Sequence, residues 1–284
     1  MIARSSLVLL ITLSCSSCAS LISSVTSGVA DNVTLAILNQ DDPGVVRDGA
    51  PAYLIMIDGL IEGDPENPDL LRSGAKLYGS YTAAFLIDDT ERAQRLANKS
   101  LEYARRALCV DVESVCAALE GRTDEFIEIL ASTDQGDLPA LYEFAASWSG
   151  WIRLHSSDWN AIANVSKVTA LFEQCLMLDE IYDGGGAHVY LGVIKSFLPA
   201  NLGGKPEQGR QHFDKAIEIT AGQNLMVSVL MAEHYARNIF DQELHDSLLT
   251  SVLEAPAESP GYTLINTLAK EQAEKLLAES ADFF

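Results

Sequence analysis

Apolar residues recur along the chain at three- and four-residue intervals, the spacing of helices with one buried face, and no stretch alternates with the two-residue period of a half-buried strand. The pattern is clearest from Gly184 to Ala221. His188, Leu191 and Gly192 mark one helix there, and Gly209, Phe213 and Ala216 mark a second. Between them Leu198-Pro199-Ala200-Asn201-Leu202-Gly203-Gly204-Lys205-Pro206 is too rich in Pro and Gly to be helical. A small residue lets two helix backbones approach, and an aromatic ring on the facing helix fills the groove beside it. The segment predicts a helical hairpin with a long turn, and one hairpin cannot bury its apolar face alone.

Copies of the arrangement follow from the same spacing. Leu71, Gly74, Ala75 and Tyr78 precede Ala93, Ala97 and Ser100; Leu141, Phe144, Ala145 and Trp148 precede Val168, Phe172 and Cys175; Ser228, Met231, Ala232 and Tyr235 precede Leu244, Leu248 and Ser251. These places fit the pattern of tetratricopeptide repeats. The expected fold is all-α, a tetratricopeptide-like array of helical hairpins (an α-solenoid), with units near 69–105, 139–180, 187–221 and 225–256 and a capping helix over 262–280. A helix from Ala50 to Ile61, apolar on most sides, is expected to be buried, and another is expected over Ala117 to Ala131.

The first residues change the picture from a plain soluble array. Arg4 begins a positive n-region, Leu7 to Leu13 form a short apolar run, and Ser14 to Ala19 are small, which reads as an export signal too short to span a bilayer. A lipoprotein signal over residues 1–17 is expected, with Cys18 as the lipidated residue and Cys15 as the competing position. Residues 18–28 would be the lipidated tether and 29–284 the helical domain. Several acyl chains, at about 0.8 kcal/mol per buried methylene, would hold such a chain on a membrane. Ala19 and Ser20 lack the aspartate associated with inner-membrane retention, so the periplasmic leaflet of the outer membrane is the expected location.

Export implies an oxidising compartment, which makes Cys109 and Cys116, flanking Val110-Asp111-Val112-Glu113, candidates for a disulfide. Cys175 reads as a buried thiol. A net charge of −21 with no basic stripe excludes nucleic acid as a partner. Neither a zinc-protease helix, a serine elbow nor a phosphate loop is present in the sequence, and adjacent Glu233 and His234 point about 100° apart on a helix rather than at one ion. Gly184-Gly185-Gly186, behind Asp183, lacks the lysine of a phosphate cradle and reads as the structural start of a helix. No catalytic residue, metal site or cofactor is expected.

In a stacked array the first helix of each unit faces inward. Projecting its inward positions gives Tyr142, Ala146 and Ser149, then Val189, Val193 and Ser196, then Val229, Glu233 and Ala236. Of the tryptophans Trp148, Trp151 and Trp159, the first falls at a packing position and Trp151, one turn on, joins the lining. Small, apolar positions with few polar points suit a pocket for a small organic or hydrophobic molecule. Close helix packing with no cavity is the competing reading.

Several segments carry a further resemblance: Ala30-Asp31-Asn32 through Asn39-Gln40-Asp41-Asp42-Pro43, Gly49-Ala50-Pro51-Ala52-Tyr53-Leu54, Asp58-Gly59-Leu60, Gly185-Gly186-Ala187-His188, Leu202-Gly203-Gly204-Lys205-Pro206-Glu207 and Phe240-Asp241-Gln242-Glu243-Leu244-His245-Asp246. In this order they resemble the T-component family of tripartite ATP-independent periplasmic (TRAP) transporters. The resemblance implies a periplasmic lipoprotein of tetratricopeptide-like helices, a homotrimer with a ligand-accessible channel in each protomer, associating with the transporter's substrate-binding protein. It brings no catalytic residues. The expected function is a non-catalytic accessory subunit that binds or relays a small ligand and docks the substrate-binding protein; the alternative is a helical scaffold for envelope protein assembly.

Overall fold

In the computed structural model the described residues, 34–197 and 204–284, form helices and turns, with no strand among them. Capped prolines start the first two long helices. The Asp42 carboxylate accepts from the N–H groups of Gly44 (2.8 Å) and Val45 (3.4 Å) and Pro43 opens α1, Pro43–Gly63. Asn67 accepts from Asp69 N (3.1 Å) and Leu70 N (3.2 Å) ahead of α2, Pro68–Phe85. Then follow α3 (Thr90–Asp111), α4 (Glu113–Ala117), α5 (Thr123–Leu130), α6 (Leu138–Leu154), α7 (Trp159–Ile162), α8 (Val165–Leu178), α9 (Tyr182–Ser196) and α10 (Pro206–Ile219). The last are α11 (Leu225–Leu230), α12 (Gln242–Glu254), α13 (Thr263–Ala278) and α14 (Ser280–Phe283). Helix α11 runs on through a π-helical turn, Met231–Ala236, and a final turn, Arg237–Ile239. No described helix is long and apolar enough to cross a membrane.

The helices pack mainly on their neighbours in the chain, most extensively α2 on α3 and α9 on α10, while α6 bridges α3 and α8. The spacing of small and aromatic residues explains the two closest pairs: a Cβ on Gly192 would lie 2.8 Å from the Phe213 ring, and one on Gly74 would lie 2.8 Å from the Tyr103 ring. One core runs from α1 through α9, and two smaller ones lie under α10 to α13. The first and last parts of the described region touch: the Gly261 N–H donates to Asn39 Oδ1 at 2.7 Å, and α13 touches α1.

Polar ties fix the first half. Asp58 of α1 accepts from Lys99 Nζ (2.5 Å), Tyr78 Oη (2.8 Å) and Tyr103 Oη (2.8 Å), and the Lys99 ammonium stands 4.9 Å from the Tyr78 ring centre. Partial burial works against the Asp58 charge, but the bonds from Lys99 and the two phenols outweigh it and hold the carboxyl below its usual range. Burial and the neighbouring Asp58 push Tyr103 up to about 12. Further along, Lys167 of α8 is buried and donates to the carbonyls of Leu119 (2.5 Å) and Gly121 (2.7 Å). Cys109 and Cys116 are joined as a disulfide across the α3–α4 junction, Cα to Cα 5.0 Å. Cys175 is buried, which pushes its thiol up to about 12.

Two expectations need correction. Helix α1 is not buried on most sides: Val46, Leu54, Ile57 and Ile61 are buried, but Ile55 is 73% exposed and Met56 and Leu60 are about half exposed. Among the described residues α1 packs chiefly on α2, which leaves its other face exposed. The helix expected over Ala117 to Ala131 begins only at Thr123, because residues 118–122 turn through Gly121 so that their carbonyls can meet Lys167.

Candidate functional site

A solvent-open cleft of about 210 Å³ lies where α2, α6 and the start of α9 converge. Helical spacing puts its side chains on shared faces: Asp69, Arg72, Ser73 and Lys76 come from α2, Pro139, Tyr142 and Glu143 from α6, and Tyr182 and Asp183 from α9. Arg72 is consumed by Asp69 and by Asp111, with both of which it forms ion pairs. Lys76 Nζ meets Asp183 Oδ1 at 3.0 Å, and the Tyr142 phenol donates to Asp183 Oδ2 at 2.9 Å.

Asp183 holds this position through an unusual backbone. Asp183, Gly184 and Gly185 stand in sequence in the left-handed region, with φ of 49°, 65° and 75°. Glycine enters that region without penalty, and Asp tolerates it better than most residues. Gly186 follows in the ordinary region, but a Cβ there would overlap Tyr142 Oη. The three glycines therefore aim the Asp183 carboxylate into the cleft and leave room for the phenol that holds it.

Beside the charges lies an aromatic cluster, of which Tyr142 and Tyr182 line the cleft. Tyr142 packs edge-on to Tyr182 (ring centres 5.2 Å apart), to Phe172 (6.1 Å) and to Tyr190 (6.4 Å), while Tyr190 stacks on Phe172 at 4.6 Å. Burial pushes Tyr142 well above its usual value, with Tyr190 and Asp183 adding to the shift. Lys76 is surrounded by protein atoms that disfavour its charge, but Asp183 overrides this and raises it; its side chain is still 60% exposed, as befits a wall of an open recess. Glu143 has no cation bonded to it. Its one hydrogen bond is from Ser147 Oγ at 3.4 Å, and burial pushes its carboxyl up to about 7 against the opposing pull of Lys76.

Of the lining residues expected from helix projection, only Tyr142 is in this cleft. Ala146 packs against the main core, and Ser149 returns its hydroxyl to Ala145 O at 2.8 Å. Trp151 donates to Asn98 Oδ1 at 2.6 Å and stacks on His155, which ties α6 to α3. Val189 and Val193 face the cluster of Phe213, Val227, Met231 and Tyr235, and Ser196 is buried beside Gly209. Val229 lies in the core with Leu249 and Val252 rather than on an open wall, and Ala236 is likewise fully buried. Glu233 sits in the π-helical turn and is directed at α13, accepting from Gln272 Nε2 at 2.8 Å. A π turn holds one more residue than an α turn, so an α-helical projection loses its register there. Cys18 and Cys15 lie outside the described residues.

Projection missed Asp69, Arg72, Lys76, Glu143 and Tyr182. The charges at 69, 72 and 76 on one face of α2 were the available signal. Also unforeseen is a pair of imidazoles between α9 and α10, His188 Nδ1 to His212 Nδ1 at 2.9 Å, with Glu180 3.4 Å from His188 Nε2. Burial lowers both, and His212, with His188 adding to the effect, falls to about 4. No group of three or more His, Cys, Asp or Glu among the described residues is placed to hold a metal ion.

Helices packed mainly on their chain neighbours, with an open, charged cleft among three of them, make the described chain an all-helical protein. The family model for the TRAP transporter T-component matches residues 39–284, and the chain belongs to that family. Its role is thus that of an accessory component of a TRAP transporter, on the periplasmic side. Comparison with curated proteins returns no match.

Proposed function

We propose that this chain is a non-catalytic, lipid-anchored accessory subunit that binds or relays a small molecule and docks the substrate-binding protein of its transporter. The observation that carries the ligand part is the solvent-open cleft, built by three helices and holding a part-buried carboxyl, Glu143, with no cation bonded to it among the described residues. Family membership supports the docking part. In this reading the helices form a tetratricopeptide-like array of the units near 69–105, 139–180, 187–221 and 225–256, closed by the helix over 262–280; residues 1–17 are the signal, and 18–28 tether residues 29–284 from acylated Cys18 to the periplasmic leaflet of the outer membrane. A homotrimer would present several copies of each docking face, so that weak contacts with a binding protein add up through avidity.

The test is co-purification of the mature chain with a TRAP substrate-binding protein from the same organism, with complex mass read by light scattering. A stable complex of whole-number stoichiometry supports the reading. Two monodisperse proteins that elute apart at concentrations near 100 μM, about −5.5 kcal/mol on the affinity scale, would refute docking. Lipidation is read separately, from the mass of the membrane-extracted N-terminal peptide of wild type and of Cys18→Ala.

A further inference from the structure

The cleft has a definite charge imbalance. Its lining carries three carboxyls, on Asp69, Glu143 and Asp183, against two cations, Arg72 and Lys76. Both cations are already occupied, Arg72 by Asp69 and Asp111 and Lys76 by Asp183. An anionic ligand would have to break one of these pairs. Among the described residues Glu143 is the lining carboxyl with no ion pair of its own, and it shares the cleft with Tyr142 and Tyr182, whose rings meet edge-on 5.2 Å apart. A carboxylate and aromatic rings lining one recess can recognise an ammonium group, by charge and by attraction to the ring quadrupoles. The chain's net charge of −21 acts in the same direction at long range.

From this geometry we infer that the cleft receives a small molecule bearing an ammonium group, with Glu143 as its counter-ion and the Tyr142–Tyr182 pair as its aromatic wall. The inference rests on the reading of the cleft as a ligand site and adds the ligand's chemical class. A volume of about 210 Å³ suits an aliphatic amine or amino acid of a few heavy atoms. The groups acting on Glu143 are Lys76 and Arg72 of α2, Asp183 of α9 and Ser147 of its own helix; with burial they leave its carboxyl ionising near neutrality.

The test is calorimetric titration of the mature full chain at pH 8 with butylamine, γ-aminobutyrate and butyrate, which share a chain and differ in charge. Butylamine and γ-aminobutyrate are expected to bind, with butyrate at least tenfold weaker. Ionisation of Glu143 near 7 makes butylamine bind about tenfold more weakly at pH 6 than at pH 8, although the amine keeps its charge throughout. Glu143→Gln should remove that pH dependence and weaken binding at pH 8 at least tenfold. Butyrate binding as tightly as butylamine, an affinity flat between pH 6 and pH 8, or unchanged affinity in Glu143→Gln would overturn the inference. If no amine binds while the complex with the binding protein still forms, the ligand class is wrong and the docking role stands; loss of that complex strikes the docking role alone.

Discussion

Asp58→Ala should be the most informative stability variant, because one carboxylate ties α1 to two helices through three donors. Lys99, Tyr78 and Tyr103 all converge on it, and its removal leaves two half-buried phenols and an ammonium without their acceptor. Hydrogen bonds to a charged group contribute about 1.5–3 kcal/mol each, but this site is partly open and water replaces some of what is lost. A cost of about 2–4 kcal/mol follows, which in a chain of this size lowers Tm by about 4–10 °C. Asp58→Asn keeps an acceptor and loses the charge, and should fall between. The carboxyl is held below its usual value, so its contribution is present above the unfolded pKa near 3.8 and disappears as pH falls through the folded value. Urea melts at pH 7 and at pH 3 measure both effects: the gap between wild type and Asp58→Ala should shrink at the lower pH. A cost below about 0.5 kcal/mol at pH 7, or a gap independent of pH, would refute the clamp.

Three further outcomes follow from other contacts. Gly186→Ala drives a methyl into the Tyr142 phenol, and is expected to cost about 1–3 kcal/mol and to free the Asp183 carboxylate, read by thermal melts and by loss of the amine titration. Lys167→Met leaves the buried carbonyl of Leu119 and the part-buried carbonyl of Gly121 without their donor and should cost about 1–3 kcal/mol, with amide exchange accelerated over residues 118–122. His212 has a lowered pKa in the folded chain, so the unfolded chain binds protons first; stability is intact above about 6.5 and declines as pH falls toward about 4. Tm should therefore drop between pH 7 and pH 5, and His212→Gln should flatten that drop.

The all-helical class was legible because its signals are local. The three- and four-residue period acts within a turn or two, and the small residue Gly192 does meet the Phe213 ring. The site was less legible because it depends on register carried across several helices. Of the projected residues Tyr142 lines the cleft, whereas Val229 packs in the core and a π turn directs Glu233 to α13. The exposed face of α1 could not be read from its apolar composition, since that reports what a helix can bury and not how many neighbours it has. The glycine triplet was visible as a structural start. What hid was the left-handed Asp183 before it, because the constraint comes from Tyr142 and Lys76, both distant in sequence.

The bond from Gly261 to Asn39 has a mechanical consequence. An array whose ends are free behaves as a spring, and its pitch adapts to whatever it wraps. The bond joins the turn before α13 to the segment before α1, so helices that stacked as such an array would have their spacing held at that point for as long as it persists. Asn39→Ala removes the bond while leaving every helix intact, so small-angle scattering of that variant would measure how much of the molecule's shape is imposed by it.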